Sequence, residues 1–253
     1  MKNVLIFLVM LGALPLVGWA QTAPSPDEGV VTYERKTYWT KIYSRMTWLS
    51  QEEKDRIANT WKNDSEFKEK MKLLFSSTAS LYTFAGEQGE TEDGGWSWRN
   101  RDLFLYRDYD KNRTFDVEEM LGRTYIVDDT LRTPNWKILN QIKEVAGHVC
   151  MKAETTDPVK NQKITAWFAQ DIPVAAGPER YAGLPGLILE LDLNEGDVVI
   201  EATNVELKPV GKELAQPKAK GRRISHGDYD TLITRHIADQ IKAQHNPWWT
   251  IRY

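Results

Sequence analysis

Cysteine is almost missing from this chain: Cys150 stands alone, so no internal disulfide braces the fold. Histidine is nearly as scarce. His148, His226, His236 and His245 are scattered, and no His-Glu-x-x-His or paired-cysteine spacing marks a metal centre. Gly-x-Ser-x-Gly, the P-loop and Gly-x-Gly-x-x-Gly are absent too, which removes the usual signatures of serine hydrolases and nucleotide-binding enzymes. No cofactor is expected. Basic blocks are also lacking. The 33 Lys and Arg are interspersed among 36 Asp and Glu, for a formal net charge of −3, which argues against a nucleic-acid partner.

What is present starts with a leader. Lys2 precedes an apolar stretch from Val4 to Val17, and Gly18-Trp19-Ala20 carries small residues at the positions signal peptidase requires. Residues 1–20 are therefore expected to be a signal peptide, with export to the periplasm or beyond. No later apolar run approaches a membrane span, so no transmembrane segment is expected once the leader is removed. Residues 21–28 read as a polar, mobile leader to one β-rich domain over residues 29–253. Ten Trp, ten Tyr and seven Phe supply the bulky apolar surface for its core.

Periodicity then sets the fold class. Gly29–Trp39 alternates as a half-buried strand, extending toward Trp48. Ser50-Gln51-Glu52-Glu53 is a capping box opening a helical region that runs to Phe75 through Ile57, Trp61, Met71 and Leu74, with Asn63-Asp64-Ser65 as a break. From Ser76 the period changes to two. Strands are predicted over Ala79–Ala85, Leu103–Tyr109, Arg123–Val127, Trp136–Leu139, Val145–Glu154, Ile164–Gln170, Leu187–Leu193 and Val198–Leu207. Gly86–Gly95 reads as an acidic loop and Asn194–Asp197 as a tight hairpin. Lys208–Arg223 reads as an exposed connector, Asp228–Gln244 as an amphipathic helix, and Trp248–Tyr253 as a last edge strand. Together these give a mainly β (α+β) fold. Its sheet is a curved antiparallel meander, half-barrel-like, packed on one or two helices.

The chain is organised around Ile164–Leu193, where a strand breaks into a loop rich in proline and glycine and re-forms at Leu187. Leu184-Pro185-Gly186-Leu187 has the residue order of a type II turn, with Gly186 expected at positive φ. Here the chain resembles the GLPGLI proteins of Bacteroidetes-type bacteria. The resemblance rests on Gly183-Leu184-Pro185-Gly186-Leu187-Ile188, on Ala166-Trp167-Phe168, Asp171-Ile172-Pro173 and Gly177-Pro178. It extends to Trp136-Lys137 and the Gly147–Ala153 segment. The family carries no established activity or catalytic residues. The resemblance marks Trp167, Asp171, Pro173, Gly177, Pro178, Gly183, Leu184, Pro185 and Gly186 as the motif loop and candidate binding residues.

Other constellations point less clearly to chemistry. Asp108, Asp110, Asn112, Asp116 and Glu119 match positions 1, 3, 5, 9 and 12 of a calcium loop, but Arg113 stands where the turn glycine belongs. The segment reads instead as a charged connection between strands, and no metal is expected. Cys150 alternates within a strand and reads as a buried structural thiol rather than a nucleophile. Asp171 is the candidate acid of the central loop, with Glu179 and Arg180 nearby, and its alternative role is to accept backbone hydrogen bonds. Two readings follow. One is a non-catalytic binding or accessory protein of the cell envelope, with an apolar ligand pocket or a partner-contact edge. The other is a hydrolase-like enzyme using acids of the 164–193 loop.

Overall fold

In a computed structural model, which describes residues 27–62, 66–86 and 102–253, the alternating segments assemble into one open sheet of twelve strands. They are β1 Gly29–Thr37, β2 Phe67–Phe75, β3 Ala79–Phe84, β4 Leu103–Asp108, β5 Arg113–Met120 and β6 Arg123–Thr130. After these come β7 Lys137–Val145, β8 His148–Asp157, β9 Gln162–Ala169, β10 Leu187–Leu193, β11 Val198–Leu207 and β12 Arg222–Ile224. The order across the sheet is β12-β6-β5-β4-β3-β2-β1-β11-β10-β9-β8-β7. Every neighbouring pair is antiparallel except β12 on β6. The fold class read from the sequence stands: mainly β, a meander, with three α-helices, α1 Trp39–Ser44, α2 Gln51–Thr60 and α3 His226–Lys242. The expected signal peptide, the leader to residue 26, the break at residues 63–65 and the acidic loop at residues 87–95 lie outside the described residues.

Several boundaries differ from expectation. The predicted helical region up to Phe75 ends at Thr60, and Met71, Leu73 and Phe75 lie buried on β2. The apolar spacing there fits either period, and pairing with β1 along all nine residues decides it. The predicted strand beyond Trp39 is instead α1. Val145–Glu154 contains a hairpin, because Ala146 and Gly147 sit at φ 51° and 83°, the left-handed pair that a two-residue turn needs. The charged connection at residues 113–119 is strand β5. Its residues Thr114–Glu118 are all buried, so apolar and acidic side chains alternate with neither face in water. The expected C-terminal edge strand is a short 3₁₀ turn, Pro247–Trp249, followed by an irregular tail. Side chains fix that tail: Tyr253 Oη donates to Asp197 at 2.5 Å, and Trp248 meets the Tyr253 ring edge-on at 4.7 Å.

The inner face of the sheet is covered mainly by the 170–186 loop. Helix α2 buries no residue fully, whereas α3 packs Tyr229 and Ile233 against Tyr125 and Val127 of β6. The largest core cluster joins Tyr33, Met71, Phe75 and Leu105 of the sheet to Ile172, Val174, Ala176 and Leu184 of the loop. Backbone bonds tie the loop to the start of β10. Leu187 N–H donates to Ile172 C=O and Ile188 N–H to Ala176 C=O, both at 3.0 Å. A bulge at Leu189 shifts the register of β10 against β9, and Tyr33 Oη donates to Ile188 C=O at 2.6 Å. Trp136, crossing above, donates Nε1–H to Ala182 C=O at 2.9 Å.

The expected type II turn at residues 184–187 is not formed. Gly186 N–H donates to Leu184 C=O at 2.8 Å, which is a γ-turn centred on Pro185, a residue whose fixed φ suits it. Gly186 does have a positive φ, 159°, which side chains rarely adopt, although it is not the value a type II turn needs. Close approach adds a second reason. A Cβ at Gly186 would lie 2.2 Å from Ala169 O, a backbone atom of a central strand that cannot move aside.

Gly186→Ala should therefore be enough to damage the fold, by roughly 1–3 kcal/mol as an overpacked site. For a chain of this size that is about 2–4 °C of Tm per kcal/mol. Pro185→Ala, at an exposed position, should cost about 1 kcal/mol or less. Thermal melts of the two variants should separate clearly, and equal losses would mean that the close approach to Ala169 is not what fixes this residue.

Candidate functional site

The motif loop carries two charged residues into the interior. Glu179 is buried, with φ 54° in the left-handed region, and Arg180 follows it. The carboxylate of Glu179 accepts from Arg252 Nε at 2.8 and 2.9 Å, pairs with Arg35 Nε at 3.3 Å and accepts from Tyr82 Oη at 3.4 Å. Its own carbonyl accepts from Arg107 Nη2 at 3.0 Å. Arg35 in turn binds Glu69 at 2.7 Å, and Arg252 lies 3.7 Å from the same carboxylate. One residue thus links β1, β3 and the C-terminal tail through its carboxylate and β4 through its carbonyl, and reaches β2 by way of Arg35 and Arg252. Arg180 reaches the other way, to Asp116 at 3.0 Å, Glu118 at 2.9 Å and Tyr229 Oη at 2.9 Å, joining β5 to α3. Strands β1 and β5 stand four steps apart, about 19 Å along a flat sheet, yet consecutive loop residues bind both. The sheet curls around this loop.

Burial alone would raise the pKa of Glu179, but Arg252 and Arg35 outweigh it and hold the carboxylate down at about 2. Glu118 is also held below its ordinary value, by Arg180 and Lys160 acting against burial. Neither acid carries a proton to donate near neutral pH. They are anchors, not proton donors.

Two cavities flank the network. The first, of about 520 Å³, has Trp39, Trp61, Phe67, Phe84, Trp248 and Trp249 on its walls, with Arg35, Glu69 and Arg252 also lining it. Trp39 and Trp249 stack at 4.8 Å and 16°, and Phe67 and Trp249 remain about half exposed, at 54% and 49%. The second, of about 410 Å³, lies by Arg180, Tyr181, Lys160 and Tyr229. Arg252 and Tyr253 line both.

The residues marked by the motif sit apart from these cavities and shape the loop. Gly177 is buried, and a Cβ there would meet Tyr181 O at 2.6 Å. Pro178 and Leu184 are buried, whereas Pro173 and Pro185 are exposed. Gly183 has φ 90° with Thr133 against it. Trp167 is half-buried on β9, with Lys143 Nζ 4.6 Å from its ring centre. Asp171 bonds His148 Nδ1 at 2.7 Å, but its side chain is 58% exposed. Cys150 is buried beside them, its thiol pushed up to about 11 by burial and by Asp171, so it is a poor nucleophile. The calcium-like carboxylates do not converge: Lys111 holds Asp108 and Arg180 holds Asp116. Among the described residues no group of three or more His, Cys, Asp or Glu is placed to hold a metal ion.

Residues 154–190 match the model of a family described as a protein of unknown function (Porph_ging). The match spans the end of β8, all of β9, the entire loop and the start of β10, so it includes Glu179 and Arg180. Among curated proteins nothing matches. Two solved structures of PNGF-II, in space groups P21 and C2, share the fold at TM-scores of 0.53 and 0.52, with 14% and 15% identity. Each match covers 82% of this chain but only 33% and 32% of PNGF-II. The chain thus spans about a third of those proteins, and the likeness is one of fold.

Sequence reasoning named Glu179 and Arg180 only as neighbours of Asp171 and missed Arg35, Glu69, Arg107, Asp116, Glu118 and Arg252 as a group. A signal was present: Asp116 and Glu118 alternate with Phe115 and Val117 at the period of a strand.

Because its folded pKa lies below the ordinary 4.5, Glu179 contributes stability that is complete above about pH 4.5 and is lost as pH falls toward about 2. The amount is on the order of 3 kcal/mol. Urea denaturation from about pH 6 down to about pH 2.5 should show wild-type stability falling more steeply than that of Glu179→Gln. Parallel pH profiles would show that this carboxylate does not titrate with folding.

Proposed function

We propose that this protein is a non-catalytic binding protein of the cell envelope, exported after cleavage behind Ala20, and that the aromatic cleft holds its ligand. The observation that carries this reading is the pairing of seven aromatic side chains with the largely buried Arg35–Glu69–Arg252 cluster. Such a site suits a ligand with a broad apolar face and a polar end. The face stacks on the Trp39–Trp249 pair, and the end reaches the charged group. Its volume falls in the usual range for small-molecule sites, about 300–1,000 Å³. In this reading the glycines and prolines of the motif loop serve the ligand indirectly, by presenting Glu179 to Arg252 beneath the cleft.

The hydrolase-like alternative has one observation in its favour, the His148–Asp171 pair at 2.7 Å. That pair is open to solvent and lines neither cavity. The adjacent thiol is held protonated, and the buried acids are locked by arginines. Binding is the better account.

Titration with the uncharged dye Nile red, followed by fluorescence, tests the cleft. Saturable binding is expected, weakened about tenfold or more in Trp39→Ala and Trp249→Ala while circular dichroism stays unchanged. Undiminished binding in both folded variants would remove the cleft as the site.

A further inference from the structure

The second cavity holds two cations, Arg107 and Lys160, that have no carboxylate at ion-pair distance among the described residues. Its other charges are matched. Arg180 takes Asp116 and Glu118, Arg252 takes Glu179, and Arg132 Nη1 binds Asp230 at 2.8 Å. Asp157 is engaged by the N–H groups of Val159 and Lys160, at 2.8 and 3.1 Å, and by Tyr181 Oη at 3.4 Å. Arg107 is left with carbonyls only: Nη1 donates to Leu105 C=O at 3.4 Å and Nη2 to Glu179 C=O at 3.0 Å. Its Nε–H has no partner among the described residues, although the residue is only 3% exposed. Lys160 Nζ donates to Arg252 C=O at 2.9 Å and to no other atom of the described residues.

An arginine cannot shed its proton to escape burial, and a buried charge without a counter-ion is strongly unfavourable. Lys160 shows the same pressure in milder form: burial lowers its pKa, against the opposing pull of Asp157. The imbalance is one of pairing, since Arg180 occupies two carboxylates and Arg107 has none.

We propose that this cavity is a second ligand site, one that binds a small organic monocarboxylate. The ligand's carboxylate takes up the unpartnered donor of Arg107, whose side chain lines the cavity, with help from Lys160, and its apolar body lies against Tyr181, Tyr229, Leu131 and Val159. A guanidinium edge with a free Nε–H receives a carboxylate through two parallel bonds. One negative charge fits better than two, because Asp116, Asp157, Glu179 and Asp230 also line the cavity and repel a dianion. The site is separate from the aromatic cleft.

The test compares hexanoate with its neutral isostere hexanamide, by thermal melts of the full chain, and adds inorganic phosphate as a competing anion. Hexanoate should raise Tm saturably, by about 3 °C or more well above its Kd, and hexanamide and phosphate should not. Arg107→Gln should match or exceed the ligand-free wild-type Tm, since it removes an unmatched buried charge, and should lose the response to hexanoate. Lys160→Met, at a partly buried position, should lose it in part. Equal responses to hexanoate and hexanamide, a response to phosphate as large as that to hexanoate, or a full hexanoate response in Arg107→Gln would overturn the proposal. None of these outcomes bears on dye binding in the cleft.

Discussion

The Glu179 carboxylate, sealed inside the molecule between Arg252 and Arg35, is the contact on which the rest depends. Among the described residues, a sheet of twelve strands with three α-helices, one of which buries nothing fully, has too little helical cover for its inner face. The 170–186 loop supplies the cover, and an irregular loop can lie inside only if its polar backbone finds partners. Hydrogen bonds to Ile172, Ala176 and Ala182 carbonyls meet that need. The ion pairs then fix where the loop sits. Arginine suits such a place because its charge cannot be lost and its planar fork meets a carboxylate along two bonds.

Desolvating so many charges is costly, and a wholly apolar plug would often be as stable. What the charged plug adds is position. Glu179 and Arg180 point in opposite directions from adjacent residues, so one loop sets the distance between β1 and β5 and therefore how far the sheet curls. The two cavities lie where the plug does not reach. One is walled by tryptophans from α1, the end of α2 and the C-terminal turn, and the other by charged and tyrosine side chains. Arg252 borders both, so the tail that pins the loop also separates the two spaces.

Much of the fold was legible in the sequence, because the alternation of β1, of most of β9 and of the first half of β11 and the capping box at Ser50–Glu53 each follow from local chemistry. What misled was residue chemistry at buried polar positions. Asp116 and Glu118 look like surface acids, so β5 read as a connector, although the partner that buries them, Arg180, lies more than sixty residues away. The motif glycine at 186 was legible as essential, and so was its positive φ, but its close approach to a neighbouring strand was not. The contact with Ala169 O depends on the pairing of β9 with β10 and has no trace in the local turn sequence. Of the candidate site, the loop was visible and its centre was not: Asp171 stands out in the sequence but is exposed, while Glu179 carries the connections.

The most direct measurement of this account is a double-mutant cycle across Glu179 and Arg252, with Glu179→Gln, Arg252→Met and the double variant unfolded in urea at neutral pH. Each single change takes away a charge's nearest partner, leaving Glu179 with Arg35 alone or Arg252 with Glu69 alone, and the double change removes both charges. The account predicts single losses that sum to more than the double loss, with a coupling above about 1 kcal/mol. Losses that add to within about 0.5 kcal/mol would contradict it, because the two residues would then be neighbours without being the pair that holds the loop in place.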